Sequence, residues 1–268
     1  MLRALALRLL GAIGLLRPVY RVYEVVQALR SGSGPDGLVD PPLPPRWLRF
    51  RVAGTADPKW FLESGQQSKD SIVQALAAAD SEVDEFEAIL DFGCGCGRVI
   101  RHLSGIRGRL HGTDADAAAI RWCRENLKFA TFQRNTMTPA LPYGTSRFDF
   151  VYALSVFTHL RVDQQHGWMR ELVRLVRPGG LVLITTHGEG YVGRLTGPER
   201  AAFDRGEVVV RRGQVAGTNL CTSFHPKRYV RETLARGLDV IYEAPMETSA
   251  ALVQDLFLLR IPDRAPFQ

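Results

Sequence analysis

Residues 88–98 read Ala-Ile-Leu-Asp-Phe-Gly-Cys-Gly-Cys-Gly-Arg, and the fold of the chain turns on them. An apolar run, Ala88 to Phe92, carries Asp91 near its end, and glycines then alternate at Gly93, Gly95 and Gly97. This is the pattern of a buried strand leading through a tight turn into a helix. Glycine lacks a Cβ, so such a turn reaches unusual φ/ψ and lets a ligand lie against bare backbone. Its amide hydrogens, with the helix start behind them, favour a carboxylate or phosphate group. The stretch is therefore a candidate cofactor loop. A dinucleotide fingerprint, Gly-x-Gly-x-x-Gly, would put its third glycine at position 98, which is Arg98.

Working outward, apolar runs and amphipathic runs alternate. Arg109 to Thr113 reads as a second strand ending in Asp114, followed by a helix over Asp116 to Leu127. Phe129 to Arg134 reads as a third strand, with Asn135 and Thr136 at its end. Phe148 to Val156 is nearly all apolar, as a strand buried on both faces of a parallel sheet would be. Gln164 to Val176 places Trp168, Leu172, Leu175 and Val176 on one helical face. Arg177-Pro178-Gly179-Gly180 ends that helix before a strand at Leu181 to Thr186. Near the C-terminus a helix is expected over Pro226 to Arg236, then strands at Leu238 to Glu243 and Leu252 to Arg260 joined by Ala244 to Ala251. Two strands with no helix between them imply an antiparallel hairpin at the sheet edge, on an otherwise parallel, doubly wound sheet.

Asp91, the three alternating glycines, Asp114 and the helix, Arg-Pro-Gly-Gly, strand passage together resemble the class I S-adenosylmethionine (SAM) dependent methyltransferases over about residues 85 to 260. The resemblance implies a Rossmann-like sheet of seven strands, mostly parallel, with SAM as cofactor. It implies that the backbone from Gly93 through Cys94 and Gly95 to Gly97 holds the methionine part above Asp91, and that Asp114 takes the ribose hydroxyls. Ala115, Asn135 and Thr136 would flank the adenine, and Ser155 would line the site. The segment Trp47 to Leu76 is expected to fold over the cofactor, with Phe61 and Gly65 touching it. The domains expected are an N-terminal extension and linker over 1–45 and a methyltransferase domain over 46–268. Within the latter, 46–84 form a helical lid and 188–224 a substrate-side insertion, since a long loop in a compact domain usually serves function.

If the acceptor is a hydroxyl, a base assists, and histidine is the residue type suited to neutral pH. His187, directly after the fifth strand, leads His159 and His225 as candidates. An amine acceptor needs no such base. The fourth strand runs on as Ser155-Val156-Phe157-Thr158-His159, without the Asn/Asp-Pro-Pro-Tyr/Phe motif of enzymes that methylate base amines. This hydrophobic run is similar to bacterial enzymes acting on small molecules, sugars or lipid precursors, so O-methylation of such an acceptor is expected, with N-methylation as the alternative. An NAD-dependent oxidoreductase and a non-catalytic scaffold are the rivals from other classes. Arg98 and the terminal hairpin count against the first, the intact glycines and acids against the second.

Composition sets outer limits. The 268 residues, 46% of them hydrophobic, suffice for one large domain with extensions. Four cysteines form no disulfide framework, and the Cys94-x-Cys96 pair has no second pair to complete a zinc site, so a reducing, cytoplasmic setting without metal is expected. Net charge is +6, but only four of the 34 basic residues are lysines, and no basic stripe interleaved with aromatics marks a nucleic-acid binder. Residues 1–50 hold seven arginines against three acids. Met1 to Leu16 is apolar but broken by Arg3 and Arg8, and its longest uncharged stretch is eight residues, far short of the ~20 needed to span a bilayer. Val19, Val22, Tyr23 and Val26 then share a helical face ahead of a linker at 31–37. Residues 1–30 read either as a basic amphipathic segment on the inner membrane surface or as helices packed on the domain or a partner.

Overall fold

The computed structural model describes residues 10–11, 14–30, 39–247 and 253–263. The named α-helices ahead of the glycine loop, among the described residues, are α1 (Leu16–Arg30), α2 (Arg46–Ala53) and α3 (Pro58–Ala77). The domain proper then runs β1 (Ala88–Phe92), β2 (Arg109–Asp114), α4 (Ala117–Asn126), β3 (Ala130–Arg134), β4 (Phe148–Ala153), α5 (Val162–Leu175) and β5 (Val176–Thr186). An insertion follows, with α6 (Gly197–Asp204) and two short antiparallel strands, β6 (Val209–Arg211) and β7 (Thr222–Phe224). The chain closes with α7 (Lys227–Tyr229), which passes into a π-helical turn at Val230–Leu234, and with β8 (Asp239–Glu247) and β9 (Val253–Arg260). The apolar segment 1–9 and the linker 31–37 lie outside the described residues.

The seven main strands form one sheet in the order β3-β2-β1-β4-β5-β9-β8. The first five are parallel, while β9 pairs antiparallel with both β5 and β8. This is the doubly wound, Rossmann-like sheet with an antiparallel C-terminal pair expected from the sequence. The hairpin is not simply appended: β9, the last strand, is interior, and β8 takes the edge. Strand periodicity divides the core in two. Leu90 and Phe92 of β1 and Val182 and Ile184 of β5 face the cluster built on α5, whereas Ile89, Leu181 and Leu183 face the cluster against α3 and α4. On α5, Trp168, Met169, Leu172 and Leu175 make the buried stripe, and the Trp168 indole lies 4.7 Å from the Phe92 ring. Full burial of side chains of this size stabilises the fold by roughly 1.5–3 kcal/mol each.

Three elements differ from expectation, the first being β5, which starts at Val176 and takes in Arg177-Pro178-Gly179-Gly180, expected as the end of the preceding helix. The glycine loop leads into a single 3-10 turn, Ile100–Leu103, instead of a helix, because Gly97 carries φ +76° and the chain bends before an α-helical ladder starts. The helix expected over Pro226 to Arg236 is compressed into α7 and its π-helical turn. The start of α4 behaves as its sequence suggests: Asp116 caps it, accepting hydrogen bonds from the Ala118 and Ala119 amides. Among the described residues no helix is long and apolar enough to cross a membrane.

Candidate active site

The tip of β1 and the tip of β2 hold the glycine loop between them. The Thr113 carbonyl accepts from the Gly93 and Cys94 amides at 2.8 and 3.0 Å, and Asp114 Oδ2 accepts from the Gly95 amide at 2.9 Å. Gly93 and Gly95 both adopt positive φ, +81° and +54°. A Cβ at Gly93 would stand 2.3 Å from Val156 Cγ2, and one at Gly95 would stand 2.7 Å from Val52 Cγ1. Only glycine fits there. Asp114 also accepts from the Asp116 amide at 2.7 Å through Oδ1, so its carboxylate organises both the loop and the start of α4.

The loop forms the floor of a cavity of about 950 Å³, within the range of small-ligand sites. Of the residues expected to hold a cofactor, Asp91, Gly93, Cys94, Gly95, Asp114, Ala115, Asn135, Thr136 and Ser155 line it. Gly97 does not; its Cα faces Leu127, and a Cβ there would come 2.4 Å from Leu127 Cδ1. Phe61 and Gly65 also lie off the cavity. Phe61 is packed with Leu48, Cys96 and Ala119, and Gly65 lies against the Arg98 carbonyl and the His102 ring. The face of α3 that does reach the wall is offset from theirs and carries Trp60, Ser64 and Ser68. Ser64 and Ser68 receive the half-buried Arg98 guanidinium, which donates to Ser64 O at 2.8 Å and Ser68 Oγ at 3.1 Å. The dinucleotide reading fails at this point: a half-buried, hydrogen-bonded arginine occupies the third-glycine position.

Asp91 is nearly inaccessible, and its Oδ2 has no hydrogen-bond partner. Burial pushes its carboxyl up to about 7, against the opposing effect of Tyr152 and the Arg98 cation. Burial likewise raises Asp114, against the two backbone amides it accepts from. A buried carboxylate lacking a partner on a cavity floor fits a ligand that brings its own cation, such as an ammonium.

The three histidines separate clearly. His159, after β4, lines the cavity, and its Nδ1 lies 2.7 Å from the Cys221 carbonyl. A carbonyl only accepts, so the proton resides on Nδ1 and Nε2 keeps its lone pair. Burial holds the His159 pKa below the usual histidine value, so the ring is neutral at pH 7. His187 stands behind this wall, its ring stacked on Tyr191 at 4.0 Å, and Tyr191 is what reaches the cavity. His225 is fully buried beside Tyr229 with neither ring nitrogen partnered. Burial lowers both His187 and His225 to about 3. Of the three histidines expected as candidates, His159 lines the cavity, while His187 and His225 lie off it.

The roof comes from segments distant in sequence. The insertion hooks over His159 through the Gly217 amide, which donates to the His159 carbonyl at 2.8 Å, and Asn219 donates to the Arg51 carbonyl at 2.6 Å. Pro18, Arg21 and Glu24 of α1 complete the wall. Glu24 Oε2 accepts from Arg51 at 3.0 Å and from Arg21 at 3.0 Å, and Arg51 also reaches Asp116 at 2.9 Å. This four-membered ionic cluster shuts α1 down beside Asp114. On β9, Gln254 reaches the cavity and donates to Ser155 Oγ at 2.9 Å. Sequence reading missed Arg21, Glu24, Arg51 and Gln254; the sole hint was the high arginine content ahead of the loop.

This sheet order, with an alternating-glycine loop between acids at the tips of β1 and β2, is the fold of the class I SAM-dependent methyltransferases. Residues 89–180 match the family described as "Methyltransferase domain". It is 27% identical over 123 residues to a ubiquinone biosynthesis O-methyltransferase of Maricaulis maris, covering 44% of this chain and 47% of that protein. The chain thus matches about half the length of that relative. It shares its fold with a 1,6-didemethyltoxoflavin N1-methyltransferase of Burkholderia thailandensis solved with S-adenosylhomocysteine (TM-score 0.55, 17% identity, 77% of this chain and 82% of that one). It also shares it with the N-methyltransferase NodS of Bradyrhizobium japonicum in complex with the same product (TM-score 0.54, 17% identity, 80% and 95%).

Proposed function

We propose that this chain transfers the methyl group of SAM to a hydroxyl of a small, sugar or lipid-linked acceptor, with His159 as the general base. The observation that carries the reading is the 2.7 Å contact between His159 Nδ1 and the Cys221 carbonyl, which fixes the tautomer and leaves Nε2 able to take a proton in the cavity.

The cavity residues fit the cofactor. Asp91, with its unpartnered oxygen, suits an α-ammonium, the glycine loop suits the methionine carboxylate, and Asp114 with Ala115, Asn135 and Thr136 suits the nucleoside. When bound, SAM supplies an electrophilic methyl on a positively charged sulfur. The protein then orients the acceptor oxygen and keeps water out with α1 and the insertion. As the oxygen gains the methyl, its proton passes to His159 Nε2, and the imidazolium is stabilised by the Cys221 carbonyl on its other nitrogen. Relatedness to an O-methyltransferase supports the choice of oxygen.

The test is turnover of SAM to S-adenosylhomocysteine with phenol, sugar and amine acceptors, for wild type and His159→Gln. On hydroxyl acceptors the variant should lose about 10²–10⁴-fold in kcat, the range of general base catalysis, and still bind S-adenosylhomocysteine. Turnover on amines alone, unaffected by His159→Gln, would replace this reading by N-methylation.

A further inference from the structure

Helix α1 has two faces, and only one is used by the site. Its inner face holds Glu24 and Ala28, both buried, and supplies the wall of the cavity. Its outer face carries Leu15, just ahead of the helix, with Val19, Val22 and Leu29, spaced i, i+4, i+7 and i+14 along one stripe. Val22 is 65% exposed and Leu29 77% exposed. Of the eight large apolar side chains exposed among the described residues, six lie on this segment; the others, Val73 and Val240, stand alone. Isolated exposed apolar residues are ordinary, but a continuous stripe on one helix marks a contact surface.

Charge identifies what the stripe meets. Residues 1–30 contain five arginines, Arg3, Arg8, Arg17, Arg21 and Arg30, and one acid, Glu24. That acid is 2% exposed and faces the cavity, neutralised by Arg21 and Arg51. The outer face therefore shows no carboxylate, and the segment ahead of it, Met1 to Leu9, continues as leucines and alanines with two arginines. We propose that the outer face of α1 docks on an anionic lipid surface, which holds the mouth of the cavity at the membrane where a lipid-linked acceptor resides. An amphipathic helix with basic residues lies in the headgroup region in this way, with apolar burial and electrostatic attraction adding. Of the described arginines of α1, Arg21 turns inward to Glu24 and Asp116, whereas Arg30 stands exposed in the last turn, so the outer face carries positive charge and no acid.

The experiment is cosedimentation of the full chain with vesicles of phosphatidylcholine alone and with about a third phosphatidylglycerol, at low and high salt. Wild type should partition at least tenfold more onto the anionic vesicles, and high salt should weaken that binding. Val22→Glu with Leu29→Glu should abolish it, whereas Val240→Glu should leave it intact. Thermal melting and S-adenosylhomocysteine binding of the double variant check that it is folded, since neither position touches the cavity. Three results would overturn the proposal: no vesicle binding by wild type, equal binding to both vesicle types, or a solution dimer that the double variant disperses. Vesicle binding requires no turnover, so it stands or falls separately from the assignment of methyl transfer.

Discussion

Asp91 is the residue at which fold and chemistry oppose each other most directly. Its carboxyl is buried at the end of β1 with one oxygen unpartnered, and burial lifts it to about 7. An unfolded chain holds an aspartate near its ordinary value of about 3.9. The folded chain thus holds the proton more tightly: Asp91 favours the fold below that lower value, and the benefit drains away as pH rises through about 7. Asp91→Asn removes this loss. In the absence of cofactor, its melting temperature relative to wild type should rise from pH 5 to about pH 7 and then level off, while its affinity for S-adenosylhomocysteine falls at least tenfold. A difference in melting temperature that stays flat with pH would show that the carboxyl is not held protonated. The sequence made Asp91 legible as a site residue, since an acid at the end of a strand before alternating glycines has few other uses. It could not separate His159 from His187 or His225, because the Cys221 carbonyl that selects one tautomer comes from the insertion 62 residues away.

At the scale of elements, the sheet was readable because each strand carries its own signal. Ala88 to Phe92 and Phe148 to Ala153 are apolar runs buried on both faces, and α5 shows its stripe at helical spacing. Boundaries were less so: β8 extends four residues past Glu243, since pairing with β9 and not propensity sets its length. The position of α1 over the cavity was not legible at all. Its amphipathic pattern says that one face is apolar, and by habit that face would be placed inward; here the polar side turns in because Glu24 meets Arg51 across 27 residues. Arg51 is the hinge-pin of that arrangement, donating to Glu24 and to Asp116 while its guanidinium lies 4.8 Å over the Trp47 ring. Arg51→Ala leaves Glu24 buried with Arg21 as its remaining ionic partner. Truncating one member of a buried ion pair costs about 3–5 kcal/mol at full burial, and less at this partly exposed site. The expected outcome is a looser lid: stopped-flow release of S-adenosylhomocysteine faster by about tenfold, with the association rate nearly unchanged. If release were unaffected, α1 would not be closing the cavity.

For the molecule as a whole, five of the six histidines sit in surroundings that lower their pKa, chiefly by burial, and this shapes its tolerance of acid. His187 and His225 are the extremes, pushed down to about 3. An unfolded chain takes up a proton on each near pH 6.5, and the folded chain refuses it. Their contribution to stability is therefore complete above that pH and is lost progressively as pH falls towards about 3. Asp91 works in the opposite sense over part of the same range, gaining for the fold as pH drops from about 7. One carboxyl offsets roughly one imidazole, so two strongly depressed histidines leave a net loss, and wild-type melting temperature should fall between pH 6.5 and pH 4.5. His225 allows the cause to be isolated, because neither of its ring nitrogens has a partner and it stands outside the cavity. His225→Phe fills the same buried space beside Tyr229 without a titratable group. Its melting temperature should decline less than that of wild type over this interval, whatever its offset at pH 7. Parallel curves would mean that His225 is already protonated in the fold or reached by water, and that acid sensitivity arises elsewhere. A shallower curve would show that the buried imidazole behind the insertion sets the acid limit of the fold, independently of the proton-accepting role proposed for His159.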